Sequence, residues 1–118
     1  MTDTPAPDPY ATAPDMAAEA SALGAFARTG PRSASWSREL TLRKAAWLDR
    51  AALADPAAVD HAERAAAALV THDRVFGTGD GPVPADAPQW RQEPRRYVRQ
   101  EYAGHLARQA ATEGRTAP

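Results

Sequence analysis

Alanine sets the limits on what this chain can build. It supplies 29 of the 118 residues, and only 22 larger apolar side chains stand beside it, with no isoleucine among them. Alanine is the best helix former but buries little surface, so the composition predicts helices around a thin core. At roughly 25 cal/mol per Å² buried, against about 1.5 kcal/mol of ordering cost per residue, such a core is marginal. A homodimer or a bound protein partner would relieve that shortage.

The expected fold class is all-α. Pro5, Pro7 and Pro9 among small polar residues mark residues 1–13 as a disordered arm. The domain then covers 14–112. Pro14-Asp15 opens a short helix with Met16, Ala20, Leu23 and Ala27 at helical spacing, and Gly30-Pro31 stops it. The strongest helical pattern runs over 35–54, with Ser35 or Ser37 as its cap. Trp36, Leu40, Trp47, Ala51 and Ala54 form one stripe, and Leu42, Ala46 and Leu53 a second on roughly the opposite side. A helix with two apolar stripes is expected to be touched from two directions. Asp55-Pro56 ends it and starts the next, over 56–76, whose apolar face is Val59, Ala62, Ala66, Leu69, Val70 and Phe76. So short a turn predicts an antiparallel αα-hairpin. Residues 77–93, rich in glycine and proline, read as an irregular loop. A last helix is expected over 94–111 with Val98, Tyr102, Leu106 and Gln109 on one face and His105 at its edge, followed by a flexible tail over 113–118.

Charge is segmented although it sums to −1. Residues 1–27 carry −4, 28–50 +4, 51–87 −4 and 88–118 +3, a pattern that suits helices attracting one another. Asp73 lies along the apolar stripe of its helix, where a carboxylate must be paired. Arg43 or Lys44 on the preceding helix is the expected partner. Of the 14 basic residues 13 are arginine, as GC-rich codon usage also produces, so arginine as such argues little for phosphate recognition.

Motifs with chemistry give way to structural readings. There is no cysteine, which removes thiolate metal sites, disulfides and a thiol nucleophile. Gly77-Thr78-Gly79-Asp80-Gly81 follows a helix and precedes Pro82, whereas a phosphate loop needs a strand before it and a helix after it. A helix cap and turn is expected. His61 and His72, eleven residues apart on one helix, are separated by about 16 Å, too far for one metal. His72 and Asp73, adjacent in sequence, are expected to project from different sides of that helix. Ser33, Ser35 and Ser37 read as cap and loop residues. No catalytic residue, cofactor or metal is assigned.

The segment 90–99 carries most of the functional signal. Trp90, Arg91, Arg95, Arg96, Tyr97 and Arg99 interleave aromatic and basic side chains. Trp, Tyr and Arg are favoured anchors of protein interfaces, so these six are the candidate partner-binding residues. The expected function is a non-enzymatic interaction or regulatory protein. The alternative is a nucleic-acid accessory protein gripping phosphates through the same segment, against which the near-neutral charge and acidic middle count. No run approaches the ~20 apolar residues of a membrane span, and the first residues lack the basic and apolar stretches of a secretory signal, so a cytoplasmic location is expected.

Overall fold

A computed structural model describes residues 8–116, and their side chains as far as residue 114. Four helices carry the fold: α1 (Met16–Thr29), α2 (Ala34–Ala54), α3 (Val59–Phe76) and α4 (Pro94–Thr116). One-turn 3₁₀ segments, Pro56–Ala58 and Pro88–Arg91, complete them, and no described residue lies in a strand. The all-α class and the hairpin at Asp55-Pro56 are therefore present.

Local chemistry explains the helix ends. The Asp15 carboxylate accepts from the Ala18 amide at 3.1 Å and starts α1. Ser33, one residue before α2 and earlier than expected, caps it by accepting from the Trp36 amide at 3.2 Å. Asp55 closes α2 and then accepts from the Ala57 amide at 3.0 Å, with Pro56 preset for the new turn. Gly77 ends α3 at φ +65°, the left-handed conformation that glycine takes without a Cβ penalty.

The hairpin is antiparallel, since Arg38 near the start of α2 meets Asp73 near the end of α3. α4 also runs against α2, because Arg95 and Arg99 near its start reach Asp49 while Glu101 reaches Arg38. The loop 77–93 must therefore return along the bundle. It is pinned as it goes: Trp90 Nε1 donates to the Pro84 carbonyl at 2.9 Å, and Gln100 Nε2 donates to the Val83 carbonyl at 2.8 Å.

The core is thin, as the alanine content implies. Leu42, Ala45 and Ala46 of α2 meet Ala66, Leu69 and Val70 of α3, and Tyr97, Val98 and Tyr102 of α4 close the third side. The Leu42–Ala46 stripe thus faces the core, and the Trp36–Trp47 stripe faces α1. There Trp36 and Trp47 donate their indole N–H groups to the Phe26 and Met16 carbonyls, each at 2.9 Å. Two large apolar positions assigned to the core are corrected. Leu53, at the last turn of α2, and Phe76, at the last turn of α3, are 57% and 68% exposed, because no neighbouring element covers them there.

Both ends of the chain also depart from expectation. Residues 8–13, read as part of the arm, form a turn, and Tyr10 is buried in the core with its ring 5.7 Å from that of Tyr102. An aromatic ring repays the ordering of a short segment when it finds a buried slot. Residues 1–7 of that arm lie outside the described residues. α4 continues five residues past 111, so residues 113–116 of the supposed tail are helical, and 117–118 lie outside the described residues.

Candidate functional site

Among the described residues four carboxylates are buried: Glu19, Asp49, Asp73 and Glu101. An isolated buried charge is prohibitively costly, so each must be paired and hydrogen-bonded. Arginine meets that need at every one.

Asp73 and Glu101 share Arg38. The guanidinium binds Asp73 as a fork, Nε to Oδ1 at 2.9 Å and Nη2 to Oδ2 at 2.8 Å, and Nη2 also reaches Glu101 Oε1 at 2.7 Å. Arg43 and Lys44, the expected partners of Asp73, are not used. Arg43 instead bonds Glu19 at 2.7 Å and Glu39 at 3.2 Å, and Lys44 is exposed. The reason is register. In an antiparallel hairpin, facing residues lie equally far from the turn; Arg38 is 17 residues before Asp55, and Asp73 is 17 after Pro56.

The remaining lone pairs are filled as well. Asp73 accepts from Thr78 Oγ1 and Tyr97 Oη, each at 2.6 Å, and from His72 Nδ1 at 3.2 Å. His72 and Asp73 therefore converge, contrary to expectation, because two side chains only 100° apart on a helix can still meet at their tips. Glu101 accepts from the Asp80 and Gly81 amides at 2.8 and 2.9 Å and from Gln100 Nε2 at 2.9 Å. The glycine loop thus cradles a carboxylate of its own chain. Gly79 permits this with φ +118°, and a Cβ there would come within 2.7 Å of Tyr97 Oη. Burial opposes the charge of Asp73, but the bonds from Arg38, Thr78, Tyr97 and His72 outweigh it and hold the carboxyl well below its usual range. Burial and the adjoining Asp73 drive the Tyr97 hydroxyl far upward, so it stays protonated and donates.

A second cluster surrounds Asp49. Arg95 Nε, Tyr10 Oη and Arg99 donate to its carboxylate, Arg99 at 2.8 and 3.1 Å. Burial opposes ionisation here too, and the bonds from Arg99, Tyr10 and Arg95 lower the Asp49 pKa despite it. In the third cluster Glu19 takes Arg43 and, at 3.2 Å, Tyr102 Oη, whose pKa burial and Glu19 push up to about 12. His105 stacks on Tyr102 with centroids 5.5 Å apart, and burial lowers its pKa.

These clusters redistribute the six residues of segment 90–99. Trp90 is buried edge-on against Tyr97 at 5.3 Å, and Tyr97 is wholly buried. Arg95 and Arg99 turn inward onto Asp49. Arg91 is exposed, as is Arg96, which pairs with Glu93 at 3.1 Å. The helical period sends positions 95 and 99 to one side and 96 to another, so the six do not form one surface.

The open concavity that stands out lies over the Arg38 cluster, where the start of α2, the end of α3 and the glycine loop meet. It encloses about 710 Å³ and is lined by Ser35, Ser37, Arg38, His72, Phe76, Thr78 and Asp80, among others. Phe76, 68% exposed, stands 4.8 Å from the His72 ring, and its neighbour Val75 is 70% exposed. A smaller apolar groove of about 350 Å³ runs between α1 and α2 beside Leu23, Leu40, Lys44 and Trp47. Among the described residues no set of three His, Cys, Asp or Glu side chains is placed to hold a metal, and no helix is long and apolar enough to cross a membrane.

No known protein family, curated protein or solved structure matches this chain. Its function must therefore be argued from its own geometry. The cleft floor is chemically closed, for every carboxylate oxygen of Asp73 and Glu101 already accepts at least two hydrogen bonds. What the cleft does offer is shape, hydroxyl groups and an exposed aromatic rim.

Proposed function

We propose that the protein is a non-enzymatic recognition module that binds a protein partner through the cleft between the start of α2 and the end of α3. The observation that carries this reading is the exposure of Phe76, 68%, at the rim of that concavity. Large apolar side chains gathered at a concave surface mark interaction sites more often than chance exposure does. The saturation of Asp73 and Glu101 favours recognition over catalysis, because a general acid or base needs a proton site open to the substrate. The inward turn of Arg95 and Arg99 removes two arginines from any phosphate grip and favours the cleft over segment 90–99 as the proposed partner site.

The test is capture from the native cell with the intact chain and with Phe76→Ser. Phe76 is largely exposed, so the variant is expected to melt like the parent. A protein retained by the parent and lost from the variant is the expected result. Retention unaffected by Phe76→Ser would overturn the reading. Solution mass at several concentrations shows whether the partner is a second copy.

A further inference from the structure

The charge beneath the cleft is lopsided. Arg38 contributes one positive charge against the negative charges of Asp73 and Glu101, and both carboxylates are fully buried behind it. Asp80 adds another negative charge at the wall. Its ion-pair partner among the described residues is Arg108, at 3.0 Å, in a pair with both side chains more than half exposed. Exposed pairs of this kind are worth little and exchange readily. With Arg108 counted, the groups beneath and beside the cleft carry one net negative charge, and the Asp80 carboxylate at its wall has a partner that is replaceable.

The uncharged part of the lining suits a cation as well. The Phe76 ring stands clear of the surface at the rim, a position from which an aromatic face attracts a guanidinium or ammonium. Thr78 Oγ1 donates its proton to Asp73, so its free lone pairs can only accept. An arginine or lysine side chain carries donors and no acceptor. Resting on the reading that this cleft is the partner site, we propose that it receives an arginine or lysine side chain of the partner, paired to Asp80 and covered by Phe76.

Three capped tripeptides, Leu-Arg-Leu, Leu-Ala-Leu and Leu-Glu-Leu, titrated into the isotope-labelled full chain would test this by amide NMR. With Leu-Arg-Leu the amides of residues 76–80 are expected to shift, with a dissociation constant on the order of millimolar. Asp80→Asn and Phe76→Ser should each weaken that binding about fivefold, and added salt should weaken it in the parent but hardly in Asp80→Asn. Equal binding of Leu-Ala-Leu, or preference for Leu-Glu-Leu, overturns the charge preference while leaving the cleft as the partner surface. No shift at residues 76–80 with any tripeptide at about 10 mM also overturns it; the capture experiment with Phe76→Ser then decides separately whether the cleft binds a partner at all.

Discussion

Removing Arg38 should expose how much this fold depends on buried charge. In Arg38→Met the apolar stem is kept and the guanidinium lost, which leaves Asp73 and Glu101, with side chains 0% and 1% exposed, as neighbouring buried anions. Deleting one partner of a buried pair costs about 3–5 kcal/mol, because the remaining charge stays desolvated. A domain of this size holds only about 6–18 kcal/mol in total at 0.05–0.15 kcal/mol per residue. With an unfolding entropy of about 2.1 cal/mol/K per residue, the midpoint should fall by about 12–20 °C. Thermal unfolding by circular dichroism at pH 7 measures this directly. The pH dependence separates a charge effect from a packing effect. Bonds from Arg38 and its neighbours depress the Asp73 pKa in the fold, so the stability they confer is present above the ordinary carboxylate pKa and lost as pH falls through the folded value. In Arg38→Met the largest of those bonds is lost and the Asp73 carboxyl takes a proton more readily, so the gap between variant and parent should narrow toward pH 4. A loss below about 1 kcal/mol at pH 7, or a loss equal at pH 7 and pH 4, would refute the argument.

Other consequences are equally open to measurement. Burial lowers the His105 pKa, so the unfolded chain binds a proton first and stability should decline as pH drops below about 6.5, by at most about 1.4 kcal/mol per pH unit. His105→Gln should flatten denaturant-derived stability between pH 5 and 7, and an unchanged slope would show that another group titrates. Tyr10→Phe removes a donor to the buried Asp49 carboxylate and should cost about 1.5–3 kcal/mol in urea unfolding, whereas a silent substitution would mean that the 8–13 segment does not hold Asp49. Gly79→Ala forces a Cβ into a left-handed position 2.7 Å from Tyr97 Oη and should destabilise by about 1–3 kcal/mol; a melting curve matching the parent would show that the loop adapts.

Much of the architecture could be read from the residues one after another. Helix limits follow from local chemistry, because Asp15, Asp55-Pro56 and Gly77 act on amides within a few positions of themselves. The thin core follows from counting alanines, and the burial of Asp73 from its place on an apolar stripe. The identity of its partner is also contained in the sequence, since Arg38 and Asp73 are symmetric about the turn whereas Arg43 and Lys44 lie too close to it. Tyr10 gave no such signal: a single aromatic in a proline-rich stretch looks the same whether it dangles or docks.

The candidate site belongs to the second kind of information. Segment 90–99 looked like one basic and aromatic patch because its residues are neighbours in sequence, yet a helix turns 100° per residue and sends neighbours to different faces. Asp49, more than 40 residues away, draws Arg95 and Arg99 inward, and Asp73 takes Tyr97. Conversely, Phe76 belongs to the apolar stripe of α3 by period, and only the packing around the last turn of α3 decides that it is exposed. Local sequence determined which elements form and where they end, since capping and periodicity act over a few residues. Tertiary packing alone decided which charges are paired inside and which apolar groups remain outside, because burial depends on partners far away in the chain.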